Sequence, residues 1–400
     1  MNSNKRVLLF FCSAAAFNMA ASFVHPVTPT LIVERGLDSS MFGVALAAMQ
    51  MASFLFAPFW GRLCSYVPTK YIMLICGVGY AAGQIIFGMA TTEAVVVGGR
   101  MFAGIFVGGI FTSMSNYIIN TTADSAKRGQ NLTVLVTIQN VFGAVGYFVG
   151  GMLGLISVEV TFVIQCITLA SVGIFQYIVC LDDTPFKHKT EKKLTLKDVN
   201  PFNAMLSVRE FATPMLVLLF VIVAIAGIGQ NSFEQCFNYY IKDQFNLSSA
   251  YNGIFKAAIA VVSLVCNSTV CMWMIKRTNT NITFAPIVAL SAVSLGAILF
   301  FETIVPFVVI DIVFFGLNAV RLPLLQNLCA ARSTPENSNA VMGFHQSMVS
   351  MGGIFGALFA GLIYDMNPMY PFVLAFAALA AATVLSGVYV SKYKKEAERE

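Results

Sequence analysis

Charge is what this 400-residue chain most lacks: Asp, Glu, Lys and Arg make up 11% of it, against roughly 25% in an ordinary soluble domain. So few charged groups leave no room for a large extramembrane catalytic domain, and with 58% hydrophobic residues a soluble fold would precipitate. There are three histidines. The nine cysteines (Cys12, Cys64, Cys76, Cys166, Cys180, Cys236, Cys266, Cys271 and Cys329) form no C-x-x-C pair and fall inside or at the ends of apolar runs. No zinc site, disulfide framework or cofactor is expected from that pattern. HExxH, G-x-S-x-G and a phosphate-binding loop are missing too, so no enzyme active site is legible.

What is present is a succession of long apolar runs separated by short polar breaks, and roughly 20 apolar residues suffice to cross a bilayer as a helix. The runs predict twelve spans at 7–33, 40–61, 71–91, 94–121, 130–156, 160–181, 211–240, 250–275, 282–301, 304–330, 338–364 and 369–391. The first is too long for a signal-peptide core and is expected to stay uncleaved, with Pro26 and Pro29 bending its outer end. An all-α membrane protein follows, embedded in a lipid bilayer. Lys5, Arg6, Arg62, Lys70, Lys127, Arg128, Lys276, Arg277, Arg332 and the tail lysines share one side, leaving Arg35 and Lys242 on the other. Positive charge marks the cytoplasmic face, so both termini are expected there, and the net charge of +5 reads as topology rather than affinity for nucleic acid.

One long polar segment, 182–210, divides the chain into an N-terminal six-helix bundle (1–181) and a C-terminal one with a short tail (211–400). Its clustered lysines are interspersed with acids and read as a solvated cytoplasmic linker. A shift of 207 residues lays Gln139–Gly146 on Gln346–Gly353 and Gly154 on Gly361. Repeated halves with a midplane site between them are a transporter architecture.

Three local motifs carry a family resemblance. Gly61-Arg62-Leu63-Cys64-Ser65-Tyr66-Val67-Pro68-Thr69-Lys70 is similar to G-x-L-x-D-R-x-G-R-K, with Ser65 where the acid stands and Pro68 replacing a glycine. Gly99-Arg100 through Gly104 and Gly108 resembles an R-x-x-x-G motif carrying an intramembrane arginine, and positions 100, 104 and 108 share one helical face. Gly146-Tyr147-Phe148-Val149-Gly150-Gly151 resembles G-P-x-x-G-G with tyrosine in place of proline. On these residues the chain resembles the major facilitator superfamily, and within it the twelve-span drug:proton antiporter branch. The resemblance implies two pseudo-symmetric bundles and a conformational gate at the first motif, comprising Gly61, Arg62, Ser65 and Lys70. Asp124 and Arg128 are placed to take over part of the missing acid's clustering, while Gly146, Gly150 and Gly151 serve close helix packing.

A polar face on a spanning helix must point inward, so periodic polar residues mark a cavity. Span one offers Asn18 and His25, span five Gln139 and Asn140, span seven Gln230, Asn231 and Asn238, span ten Asn318 and Arg321, and span eleven His345 and Gln346. A buried carboxyl titrates nearer neutrality and a nearby cation or substrate reverses that, the requirement for coupling protons to binding. Glu234 is the first candidate for proton coupling, Asp311 the second, and Arg100 belongs with them as either a relay or a snorkelled residue.

The expected activity is proton-coupled export of amphipathic small molecules by alternating access, performed by a monomer in a bacterial inner membrane. Two other readings stay open: a proton-coupled importer of a sugar, organic acid or nucleoside, favoured by the polar span-seven face and Arg321, and a non-transporting receptor or scaffold on the same fold.

Overall fold

The computed structural model describes residues 3–38, 41–184, 200–245, 249–301, 303–364 and 366–398; within these helices the side chains of Asn238 and Lys256 also lie outside the described residues. Every regular element among the described residues is helical. In chain order they are α1 (Ser3–Ala21), α2 (Thr28–Glu34), α3 (Met41–Leu63), α4 (Thr69–Gly88), α5 (Glu93–Thr121), α6 (Ser125–Gly154), α7 (Val158–Val179) and α8 (Pro201–Leu206). The second half contributes α9 (Pro214–Phe245), α10 (Ser249–Cys266), a π-helical turn (Asn267–Cys271), α11 (Met272–Arg277), α12 (Thr280–Ile298), α13 (Ile304–Ala331), α14 (Ser338–Tyr364) and α15 (Tyr370–Ala397). Eleven of the described helices are long and apolar enough to cross a membrane.

The remaining expected span, the first, is divided rather than bent. Pro26 has no N–H to give, and a proline ring clashes with the carbonyl four residues back, so α1 stops at Ala21 and a turn runs to Val27. Pro29 sits in the first turn of α2, where its missing donor costs nothing. Gly36 closes α2 at φ 66°, a left-handed conformation that glycine adopts without a Cβ penalty. Other helix starts follow side-chain caps: Asp124 accepts from Lys127 N at 2.6 Å, and Ser157 Oγ from Val160 N at 3.1 Å.

The chain forms two compact units, Met1–Arg128 with Ile138–Phe211 and Ser333–Ser350, and Gly129–Thr137 with Ala212–Arg332 and Met351–Glu400. Boundaries therefore fall inside α6 and α14 as well as in the central segment. In the first unit α5 packs on α3 and α4, and α4 on α7. Gly77 and Gly173 meet there backbone to backbone, and a Cβ on Gly77 would stand 2.9 Å from the Gly173 Cα. In the second unit α9 packs on α15, and α12 on α13 and α15. Its core is aromatic: Phe233 lies 4.9 Å from Phe314 and 5.5 Å from Phe372, and Tyr240 stacks on Phe307 at 5.2 Å.

The central segment, expected to be a solvated connector, is packed at both of its described ends. Asp183 is fully buried, α8 packs on α3, and Ala204 and Ser207 are buried with it. The physical reason is capping. Asp183 accepts from Thr69 N and Thr69 Oγ1, both at 3.0 Å, and from Asn120 Nδ2 at 2.6 Å, so it supplies the first turn of α4 with the acid that the 61–70 loop lacks. The clustered lysines of 185–199 lie outside the described residues.

Candidate functional site

In the second unit α9 and α13 bring four polar residues together. Arg321, 2% exposed, donates from Nη2 to Gln230 Oε1 at 2.9 Å. It also donates from Nε to Asn318 Oδ1 at 3.2 Å, with a second, shorter contact from Nη2 to the same oxygen. The other end of the Gln230 amide donates to Glu234 Oε1 at 3.0 Å. One amide thus joins a buried guanidinium to a half-buried carboxylate, oriented so that its oxygen faces the cation and its N–H the anion.

Asp311 lies ten residues before Arg321 on α13 and is fully buried, on the helix face that also carries Phe307, Phe314 and Asn318. Asn231 turns elsewhere: its Nδ2 donates to Gly227 O at 2.9 Å, and its Cβ would stand 2.7 Å from a Cβ added to Gly356 on α14. The side chain of Asn238 lies outside the described residues.

In the first unit the centre is Arg100, seven residues into α5 and 3% exposed. Its guanidinium carbon sits 3.8 Å from the Phe87 ring centroid, a cation–π contact in a dry setting. Nη2 donates to Thr28 Oγ1 at 3.3 Å and Nη1 approaches Met49 Sδ at 3.8 Å. Gly104 and Gly108, on the same face, bring α5 against α3: a Cβ on Gly108 would stand 2.7 Å from Ser53 Oγ, and one on Gly104 would collide with Met49 O. The divided first span thus places Thr28 against the intramembrane arginine.

Along span one, Asn18 is buried and spends its amide on Ala14 O at 2.7 Å, and half-buried His25 stacks on Tyr147 with centroids 6.4 Å apart. Tyr147 stands where the resembled motif has proline. Of the motif's glycines, Gly146 and Gly150 run so close to Met19 O and Phe23 O that a Cβ on either would collide, whereas Gly151 faces open space. Gln139 and Asn140 are half-buried on α6, His345 is buried and Gln346 half-buried on α14.

The gate residues sit where α3 meets the first turns of α14. A Cβ on Gly61 would stand 2.7 Å from both Asn339 O and Gly343 Cα. Asn339 donates to Cys64 O at 3.4 Å, Asn116 to Asn339 O at 3.2 Å, Ser347 to Phe54 O at 2.6 Å, and Ser53 and Ser350 bond at 2.8 Å. These contacts join amides and hydroxyls to one another and to backbone carbonyls. Lys70 faces Asp182 at 3.7 Å, Arg62 is half-buried, and Asp124 serves as the α6 cap. Ser65 and Arg128 line a cleft of about 470 Å³ beside Thr122, Thr334 and Asn339.

Thr28, Phe87, Asp183 and Asn339 are the residues that sequence reasoning missed. A Thr-Pro pair opening a helix signals Thr28; the others are joined to their partners by chain separation alone. Among the described residues no His, Cys, Asp and Glu group is placed to hold a metal ion.

Comparison with known proteins gives a match to the Major Facilitator Superfamily model over residues 7–320. Quinolone resistance protein NorA of Staphylococcus aureus (strain MSSA476) is 22% identical over 399 residues, covering 96% of each chain. Multidrug resistance protein 2 of Bacillus subtilis (strain 168) is 19% identical over 400 residues, covering 98% of this chain and 97% of that one. Among solved structures, the human organic anion transporter MFSD10 (TETRAN) superposes with a TM-score of 0.81 at 16% identity, covering 96% of this chain and 100% of that one.

Proposed function

Because this chain belongs to the Major Facilitator Superfamily, and is thus a membrane transporter rather than an enzyme, we propose that it exports amphipathic small molecules in exchange for protons. The observation that carries this reading is the Arg321–Gln230–Glu234 chain. A proton arriving on Glu234 cancels the charge balancing Arg321 and loosens a substrate cation held near that carboxylate. Loss of the proton on the other side restores the negative charge and with it the affinity for a cation. Asp311 and Arg100 are the further groups assigned to proton movement, and a pair of six-helix bundles rocking about a midplane site is the motion assigned to the cycle. The similarity to NorA and to the Bacillus multidrug resistance protein supports drugs as the substrate class.

Both ends are assigned to the cytoplasm from the lysine and arginine bias of the loops, and the working unit to a monomer in a bacterial inner membrane. Purified protein in vesicles with an acidic lumen tests the reading. Uptake of a fluorescent lipophilic cation, with matching proton exit and collapse on adding a protonophore, is the expected result. Uptake unaffected by the gradient contradicts it.

A second reading has one observation behind it. Arg100 is buried, and among the described residues its partners are a hydroxyl, a thioether and a ring, with no carboxylate. An importer of a carboxylate-bearing solute would use such a cation, and solute-driven proton entry lost in Arg100→Gln identifies it.

A further inference from the structure

Away from both arginine sites, the second unit has a cleft of about 390 Å³. Thr213 and Pro214 at the start of α9, Arg332 just past α13, and Lys392, Lys395 and Glu396 near the end of α15 line it. Three cations thus face one acid, and that acid is already engaged: Glu396 Oε2 pairs with Arg332 Nη1 at 3.0 Å. Arg332 is held from a second direction, donating from Nε to Tyr389 OH at 3.2 Å, while Tyr389 donates to Asn281 Oδ1 at 2.7 Å. Its guanidinium also lies 5.4 Å from the Tyr393 ring centroid. Burial lowers the Arg332 pKa, but Glu396 and Tyr389 outweigh it and raise the value, so the cation is fixed in charge as well as in place. The 32-residue α9 adds its positive dipole end to the same cleft, with Thr213 Oγ1 capping the Leu216 N–H at 3.2 Å.

We propose that this cleft binds the phosphate of an anionic phospholipid headgroup. The chemistry recognised is a phosphate anion, which a lipid or the surrounding solution could supply. The lipid is assigned because the cleft lies where three membrane-length helices begin or end: α9 at Pro214, α13 at Ala331 and α15 at Ala397. From the cleft inward, α9 continues into exposed Val217 and Val221, and α15 into exposed Val388 and Val384, an apolar surface for acyl chains on the same two helices. Basic residues at the end of a spanning helix hold anionic lipid by charge, with a strength that falls as salt rises.

The test uses full-length protein in detergent micelles supplemented with phosphatidylglycerol, phosphatidylcholine or inorganic phosphate, reading retained lipid by native mass spectrometry and melting temperature in parallel. Phosphatidylglycerol is expected to be retained and to raise the melting temperature, with phosphatidylcholine and inorganic phosphate at equal concentration doing neither. Lys392→Gln with Lys395→Gln is expected to weaken retention on the order of 30-fold. Lys276→Gln with Arg277→Gln, an equal charge change outside the cleft, is expected to leave it intact. Equal stabilisation by inorganic phosphate overturns the lipid assignment. Equal loss in the two double variants, or equal retention of the two lipids by the unaltered protein, overturns the cleft. Both variants change only exposed side chains, and their melting in phosphatidylcholine reports whether they fold.

Discussion

Arg321 donates to Gln230 at 2.9 Å, and through that one amide the guanidinium on α13 is tied to the Glu234 carboxylate on α9. Gln230→Leu keeps the volume and removes both bonds. We expect gradient-driven transport to fall at least about tenfold, and stability to fall by about 1–3 kcal/mol because a buried donor of Arg321 is left unmet. Flux assays and thermal melting on the same preparation check this. Full coupling in the variant means that Gln230 is only a helix-packing residue.

The Arg100 site predicts a separate loss. Thr28→Val is close in shape and deletes the one oxygen that Nη2 reaches, leaving the sulfur of Met49 and the ring of Phe87. A hydrogen bond to a charged group contributes about 1.5–3 kcal/mol, so the variant, which also loses the Thr28 Oγ1 bond to Val24 O, is expected to lose at least about that much stability, read by thermal melting. Melting unchanged from the parent would show that the ring of Phe87 and the sulfur of Met49 suffice to hold Arg100.

Neighbouring glycines are expected to respond in opposite ways. Gly150→Ala pushes a methyl into the carbonyl of Phe23 and is expected to cost about 1–3 kcal/mol. Gly151→Ala meets nothing within 4 Å and is expected to stay within about 0.5 kcal/mol of the parent. Similar losses at the two positions, measured by thermal denaturation, contradict the close approach of α6 to the turn that follows α1.

Asp183 is expected to matter more than the loop residue standing at the motif's acid position. Asp183→Ala removes the acceptor of Thr69 N and Asn120 Nδ2 and is expected to cost about 1–3 kcal/mol. Ser65 lines an open cleft, and Ser65→Ala is expected to change stability by less than about 0.5 kcal/mol. Melting of both variants decides whether the linker carboxylate has taken the structural place of the missing loop acid.

These cases also show where sequence reading ran out. Helices over membrane-length apolar runs are fixed by composition and length alone, because each backbone group in lipid must bond within its own helix. Arg100 with Gly104 and Gly108 was legible because one helix sets their common face. The partners of Arg100 were not, since Thr28 and Phe87 reach it through a break and a neighbouring helix that no local period encodes. Asp183 lies 114 residues from Thr69, so its capping role has no local signature. Pro26 marked a disturbance in span one, yet only packing decides between a bend and a break. Asn231 and Glu234 share a rough helical face, but Asn231 is turned to Gly227 O and packed near Gly356 while Glu234 takes Gln230.

The most direct test of the central claim compares the parent with Glu234→Gln in vesicles carrying an imposed pH gradient, following a lipophilic cation and protons at once. The account predicts that the amide variant folds, binds the cation more weakly than the parent in equilibrium assays, and loses proton-coupled exchange. Proton-coupled flux equal to the parent's would remove Glu234 from the mechanism and leave the Arg321–Gln230–Glu234 chain a structural contact.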